Sequence, residues 1–422
     1  MKLDPKKEAQ RIIALIAANK DYALLVLALI VLVSGIISAA LRLSQKTGPV
    51  LVFTQWWDKE PLAGTLESLI GEYRETNKNI KIVLKSRSYN ETRKMLLDSD
   101  YSAYTAGTDY SPGDILAVDG LWIHDLYENG VLDPSYPPSE PLISFFYPFF
   151  YNIEMLKNAG FSRPPKTRSE LLSMAEATGD PKNGVYGIAF ALGADNPSGV
   201  YRDIYPWFWA SGVSLTDGGR PFQETLDFFS RLNQGGAIHR QTFSMSEEEK
   251  LDAFIKNKIA FMTGRMQSIE TLRKKMGDGA FGISIVPGAD SYIGKPALGV
   301  SDWSLGIFSG SKHKEEARAF IEFLLEKSPA FAEKINIISG SSLSPELTGD
   351  PFYSKAWELY IDSDLVREFS YPSEGGGEPL IQGLSGTERD KIFQEELFAL
   401  FEGSHTPAAA ATAIRERWGI GN

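Results

Sequence analysis

Residues 48–85 read GPVLVFTQWWDKEPLAGTLESLIGEYRETNKNIKIVLK. The first part, Gly48–Asp58, is a β-rich run that ends abruptly in two tryptophans and a carboxylate. Ala63–Asn77 then sets Leu66, Leu69, Ile70 and Tyr73 at i, i+3, i+4 and i+7, the spacing of an amphipathic helix. Asn79–Lys85 (NIKIVLK) alternates apolar and polar residues and reads as a second strand. The pattern continues downstream. Glu91–Leu97 starts another helix, and Gly113–Val118 (GDILAV) is a short apolar strand followed by Asp119. Alternation of strand and helix predicts an α/β protein, its sheet largely parallel and covered by helices on both faces.

Pro137-Pro138 and Pro141 interrupt this pattern, and the very aromatic stretch Ile143–Asn152 (ISFFYPFFYN) follows. A change of domain is expected there. Beyond it, Arg168–Ala177, Gln223–Leu232 and Glu247–Lys256 read as helices, and Gly184–Phe190, Ile259–Met262 and Gly282–Pro287 as strands. Gly199–Ala210 is dense in aromatic residues. Ala297–Ser309 (ALGVSDWSLGIFS) reads as a strand pair or one long strand crossing back. In Lys314–Lys327 the residues Ala317, Phe320, Ile321 and Leu324 line one helical face. From Pro351 on the pattern is helical, broken by the glycine-rich loop Ser373–Pro379.

Upstream lies the other decisive stretch. Tyr22–Leu41 (YALLVLALIVLVSGIISAAL) holds no charged residue. An apolar helix of about 20 residues spans about 30 Å, the hydrocarbon thickness of a bilayer. The preceding tail carries Lys2, Lys6, Lys7, Arg11 and Lys20 against Asp4 and Glu8. A basic tail before an apolar run predicts residues 1–21 in the cytoplasm, residues 22–41 in the membrane and the remainder outside. A cleaved signal peptide is the rival reading, and Ser38-Ala39-Ala40 offers small residues for a peptidase. Its apolar core, however, should be only about 7–15 residues long.

The 422 residues include no cysteine, so disulfides, thiol catalysis, thiolate metal sites and lipid attachment at an N-terminal cysteine are all excluded. The formal net charge of −11 supplies no basic field for a phosphate backbone, which argues against nucleic acid as a partner.

Several segments, taken in order, resemble the family 1 extracellular solute-binding proteins of ABC importers, the maltose and multiple-sugar binders. They are VLVFTQWWD (50–58), SPGDILAVDGLWIHDLYENGVLDP (111–134), FFYNIEMLKNAGFSRPPKTRSELLSMA (149–175), FIKNKIAFMTG (254–264), KPALGVSDWSLGIFSGSKHKEEARAFIEFLLE (295–326) and EGSHTPAAAATAIRER (402–417). The third is the most specific: Tyr-Asn before a helix, a short glycine loop, proline, threonine and a second helix. The resemblance covers about residues 50–420. It implies a two-lobe α/β fold of the type II periplasmic-binding-protein kind, with a hinge and a solute cleft between the lobes. On that template lobe I is 48–142 plus 299–345, and lobe II is 143–298 plus 346–422.

Candidate binding residues follow from position and from the resemblance. Trp56, Trp57 and Asp58 stand where a parallel strand hands over to a helix, the place where open α/β sheets bind ligands. Tryptophan faces stack on apolar sugar faces, and a carboxylate accepts hydroxyl hydrogen bonds. The plainer reading makes one tryptophan core and Asp58 a helix cap. The resemblance implies that Asp119 faces the cleft, that Tyr151 lines it, that Asp302 and Trp303 on the return strand contact ligand, and that Glu374 lies in a cleft-edge loop. Tyr205, Trp207 and Trp209 form an aromatic cluster of which one or two members are expected to line the cleft. Arg265 and Met266 occupy a place where sugar binders often carry tryptophan, a departure from the maltose-type pattern.

Enzyme signatures fail on inspection. His124, His239, His313 and His405 are scattered without metal spacing. Gly288–Pro296 mimics a phosphate loop, but its glycines are one residue too far apart and proline replaces the Ser/Thr. No metal or cofactor is expected. The expected role is capture of a solute, a sugar by its aromatic density, and delivery to ABC permease subunits at the membrane. The competing readings are a membrane-tethered carbohydrate-active enzyme using a carboxylate pair such as Asp58 with Asp119 or Asp302, and a solute sensor without transport.

Overall fold

The computed structural model describes residues 10, 31–35, 48–57, 64–97, 111–136, 141–193, 199–328, 349–366 and 384–420. The first half of the chain runs β1 (Val50–Gln55), α1 (Thr65–Thr76), β2 (Lys81–Ser86), α2 (Tyr89–Leu97), β3 (Ile115–Asp119), a 3-10 turn (Gly120–Trp122), α3 (Ile123–Glu128) and β4 (Ile143–Phe146). Next come β5 (Phe149–Asn152), α4 (Ile153–Asn158), α5 (Arg168–Thr178), β6 (Tyr186–Ile188), α6 (Gly199–Asp203), α7 (Tyr205–Trp209), α8 (Gly219–Gln234), α9 (Glu247–Ile255), β7 (Ile259–Thr263), α10 (Ser268–Met276) and β8 (Phe281–Ser284). The chain closes with β9 (Ala297–Ile307), α11 (Lys314–Glu326), α12 (Pro351–Ile361), β10 (Asp364–Val366), α13 (Gly386–Phe401) and α14 (Pro407–Arg417).

Two sheets organise these elements among the described residues. The first has the order β10-β9-β3-β1-β2, with β4 also paired to β9; the second has the order β6-β7-β5-β8. In the first sheet β1 runs parallel to β2 and β3, as the opening strand–helix–strand unit predicts. It is nevertheless mixed rather than largely parallel, because β9 runs antiparallel to both β3 and β4. The reason is topological: β9 is one long strand that returns from the second sheet and enters from the opposite end. In the second sheet β6 and β7 are parallel, whereas β5 runs antiparallel to β7 and β8. The chain passes from the first sheet to the second at Tyr147-Pro148, between β4 and β5.

Burial explains why these segments fold as they do. Every residue of β3 and of β9 is buried, as befits strands packed on both faces; β3 is apolar up to its terminal Asp119, whereas β9 buries Ser301, Asp302 and Ser304 at its centre. On α1 the buried positions include Leu66, Leu69, Ile70 and Tyr73, and on α11 they are Ala317, Phe320, Ile321 and Leu324. Both stripes match the 3.6-residue period. Helix starts are capped from the sequence as well. Asn152 accepts from Met155 N before α4, Thr167 from Glu170 N before α5, and Ser246 forms a full capping box with Glu249 before α9.

Among the described residues no helix is long and apolar enough to cross a membrane. Of Tyr22–Leu41 only residues 31–35 are described, as an exposed helical turn. Asp58, Glu374 and residues 329–345 likewise lie outside the described residues.

Candidate functional site

The carboxyl ends of β1 and β3 carry a tight group of aromatic rings. Trp56 and Trp57 follow β1 directly. Trp303 stands on β9 opposite Asp119, the last residue of β3. Trp57 and Trp303 stack with ring centres 5.7 Å apart and planes 10° from parallel. Trp56 meets Trp57, Trp303, Trp122 and Tyr89 at 5.3–5.7 Å, mostly edge to face. Such pairs contribute about 0.5–1.5 kcal/mol each beyond the area they bury. Trp57 is 0% exposed and Trp56 is buried with it. Both indole Nε1 donors are buried without a hydrogen-bond partner among the described residues. An unpaired buried donor costs about 1–3 kcal/mol, so an acceptor brought to either nitrogen is favoured.

Asp119 is 4% exposed and stands beside this group. Its Oδ1 accepts from Leu121 N at 3.1 Å, capping the 3-10 turn, and its Oδ2 accepts from the Tyr89 hydroxyl at 3.0 Å. Burial pushes its carboxyl above the usual carboxylate range, against these hydrogen bonds and against the charges of Arg202 and Arg265. Those arginines come from the other half of the molecule: Arg202 from α6, which packs on β7, and Arg265 from just after β7. Tyr147, at the passage between the sheets, completes the group. Burial pushes its phenol up to about 12, the Asp119 charge acts in the same direction, and Arg202 and a hydrogen bond with Ser301 oppose it.

Arg202 lies 5.9 Å from the Tyr147 ring centre and 3.9 Å from Glu247. Burial disfavours its charge, but Glu247 and the phenols of Tyr147 and Tyr89 outweigh burial and hold its pKa above the ordinary value. Glu247 is the opposite case. Burial alone would raise it, yet Lys250 and Arg202 hold it below the usual range. Behind them Lys250, 0% exposed, sits 2.8 Å from both oxygens of Asp203 and 3.0 Å from Glu247. Asp203 also accepts from Thr263 Oγ1 and from Ala191 N. The ionic row therefore runs from the second sheet's core to the aromatic group on the first.

Other expected residues lie elsewhere. Tyr205, Trp207 and Trp209 fall on one short helix, α7, and all are buried. Trp207 Nε1 donates to Asp203 O at 2.9 Å, and its ring packs on Phe149, Phe190 and Phe228. Tyr205 donates to Asp390 Oδ1 at 2.8 Å. Trp209 lies so close to β9 that a Cβ on Gly299 would come within 2.4 Å of its ring. These three fasten α7 to its neighbours and are not brought to the Trp56 group. Asp302, one residue from Trp303, faces the other side of β9, as a two-residue period requires, and accepts from Ser144 Oγ at 2.5 Å. Tyr151 is half-buried over Gly282 and lines a separate cavity of about 450 Å³ with Ile153, Leu156, Lys157, Phe161 and Arg163. That open cavity and the buried aromatic–ionic group are different places, and the concentration of ionisable groups is at the latter. Asn152, beside Tyr151, caps α4.

The sequence reading missed Tyr89, Tyr147, Arg202 and Glu247. The pair Arg202-Asp203 carried a signal, since it places two charges inside an aromatic segment. Glu247 carried none, because it stands in an ordinary acidic first turn.

Comparison with known proteins now defines the class. Residues 57–330 match the family described as bacterial extracellular solute-binding protein. The chain belongs to that family, whose members are binding proteins with an extracytoplasmic place of work. A probable ABC transporter-binding protein of Deinococcus radiodurans is 25% identical over 186 residues, 42% of this chain and 44% of its own length. A putative binding protein of Brucella abortus is 21% identical over 253 residues, 52% of this chain and 61% of its own length. The chain thus spans about half the length of the curated relatives it matches. Among solved structures, maltose-bound MalE3 of T. maritima is similar at a TM-score of 0.65 and 18% identity, over 88% of this chain and 99% of that one. The cyclic α-maltosyl-1,6-maltose binding protein of Arthrobacter globiformis gives 0.66 and 15%, over 89% and 100%. Mannotriose-bound CpMnBP1 gives 0.64 and 20%, over 87% and 99%. At these identities the likeness is one of fold: the two sheets with their helices are the two lobes of a periplasmic-binding-protein architecture.

Proposed function

We propose that this protein captures a carbohydrate between its lobes and delivers it to an ABC permease, held at the membrane by Tyr22–Leu41. One observation carries the reading. Side chains from both sheets converge in a single group: Trp56, Trp57, Asp119 and Trp303, all buried, from one, and buried Arg202 with the largely covered Glu247 from the other. A solute can meet all of them only by entering while the lobes are apart and being enclosed when they come together. Tyr147-Pro148 and β9 are where such a hinge would bend, with lobe I as 48–142 and 299–345 and lobe II as 143–298 and 346–422.

The chemistry fits a sugar. Indole faces cover the C–H faces of a ring, and the two free indole N–H donors call for hydroxyl oxygens. Asp119 and Glu247 accept from hydroxyls, and Arg202 donates. Closure draws its free energy only from contacts absent in the open form, so groups split between lobes are what makes closing depend on solute. A permease can then distinguish loaded from empty by shape. The membrane tether raises the local concentration of the loaded protein beside the permease.

The test is a thermal-shift screen of the full chain in detergent against a library of mono- and oligosaccharides. A specific ligand at 100 times its dissociation constant adds about 2.7 kcal/mol of stability. Trp303→Ala should abolish that shift. Absence of a shift with every sugar in a broad library overturns the proposal.

A further inference from the structure

We infer that Asp125 is a clasp between the lobes that sets how readily they part, and so acts on solute affinity from outside the aromatic site. The inference rests on the lobe opening proposed above. Asp125 stands on α3, which follows the Gly120–Trp122 turn at the end of β3 in the first sheet. Its carboxylate reaches the start of α13, which packs against α14, α8 and α6 on the second-sheet side. Gly386 N donates to Asp125 Oδ1 at 3.1 Å, and the Thr387 amide also bonds this carboxylate. From α2, Arg93 Nη2 donates to Thr387 Oγ1 at 3.0 Å. Two side chains of one lobe thus hold the first two residues of a helix in the other.

The first N–H groups of a helix have no partner within it, and its positive end favours a carboxylate. The helix already has a cap of its own, since Ser385 Oγ accepts from Glu388 N at 3.1 Å. Asp125 is therefore not needed to start α13; it satisfies donors that Ser385 leaves over. The contact is sealed, with Asp125 buried and Arg389 one turn further along α13 attracting it electrostatically. Arg389 is itself tied to Asp390, which Tyr205 also meets. Parting the lobes pulls Asp125 off this anchored helix end. The clasp thus favours the closed form whether or not solute is present, lowering the discrimination that solute must supply.

The natural chain has no cysteine, so Lys78→Cys with Lys182→Cys, both exposed and on opposite lobes, takes a label pair that reports lobe separation. The measurement uses the full chain in detergent, without solute, over a temperature series that makes the minor population measurable. Asp125→Asn should raise the ratio of long to short distances about tenfold, the size expected for losing one charge-assisted bond. Arg93→Ala should move it the same way by less, about threefold, because that bond is exposed. Ser385→Ala should lower the melting temperature and leave the ratio unchanged, which separates the clasp from plain helix stability. Two populations whose ratio Asp125→Asn leaves unaltered, or a ratio that Ser385→Ala shifts as far, overturn the clasp alone. A separation that never lengthens in any variant at any temperature overturns the lobe opening and the clasp together.

Discussion

Two aromatic clusters of similar composition lie in this molecule, and their polar atoms are treated differently. The group of Trp56, Trp57, Trp122, Trp303 and Tyr89 stands at the carboxyl edge of the first sheet. The group of Tyr201, Tyr205, Trp207 and Trp209 ties α6 and α7 to the second sheet and to β9. Both are buried, and both use edge-to-face contacts. They differ in how their polar atoms are served. In the second, Trp207 bonds Asp203 O, Tyr205 bonds Asp390, and Tyr201 bonds Val300 O at 2.9 Å. In the first, two indole donors have no partner among the described residues, and a desolvated carboxyl stands beside them. A packed core pairs its buried polar groups, and a binding site leaves some unpaired for what it binds. On the proposed function the first cluster is the sugar site and the second is core, and what separates them is polar satisfaction, not aromatic density.

The seam between the clusters is the place to break the comparison hardest. Lys250 lies between Asp203, which serves Trp207, and Glu247, which faces Arg202. Lys250→Met strips the buried Asp203 carboxylate of its bonded cation and leaves Glu247 with Arg202 alone, and should cost about 3–5 kcal/mol, read from urea unfolding at pH 7. A loss below 1 kcal/mol would mean that the row is not sealed.

A milder pair of substitutions sharpens the contrast. Trp207→Phe keeps an aromatic ring and deletes an N–H that is used, leaving a buried carbonyl short of its donor; it should lose about 1–3 kcal/mol. Trp57→Phe deletes an N–H with no partner among the described residues. It should cost clearly less stability than Trp207→Phe and weaken sugar binding about tenfold, the size of one lost hydrogen bond. Unfolding curves and titration of the sugar found in the screen check both. The opposite ranking in stability would collapse the distinction drawn between the clusters.

The smallest expected effect concerns pH. Burial raises the folded-state pKa of Asp119 above its unfolded value, so the native protein binds this proton more tightly than the unfolded chain does. Stability from this group is thus present at low pH and lost as pH rises from the unfolded value of 3.8 through the raised folded one. Asp119→Asn removes that dependence. Relative to the parent, the variant should look more favourable at pH 7 than at pH 4 in paired urea titrations. Equal differences at both pH values would show that burial does not tax this carboxyl.

Much of the fold was legible from residue order. The helical stripes of α1 and α11, the parallel β1–β2 unit and the strand ending in Asp119 all follow from short-range spacing, because burial on one face imposes a period. The mixed character of the first sheet was not legible, since the direction in which β9 enters depends on everything between β4 and β9. Within the candidate site, Trp56, Trp57 and Asp119 were reachable as residues at strand ends, and Trp303, in the middle of β9, only through the family resemblance. Asp302 was paired with Trp303 in the reading, but adjacent strand residues face opposite ways, and only the register shows which face is which. Tyr205, Trp207 and Trp209 were read for their rings, whereas their hydrogen-bond partners Asp203 and Asp390 decide their role.

Sequence alone determined what could be buried and with what period: the alternating strands and helices, the absence of thiol chemistry, the charge-free Tyr22–Leu41, and the family to which the segments from residue 50 onward belong. Tertiary structure alone decided which buried groups meet. Asp119, Arg202, Glu247 and Trp303 are far apart along the chain, and Asp125 and Gly386 are further apart still. Local propensity acts over a few residues, whereas desolvation and charge pairing act between whatever surfaces the fold brings together.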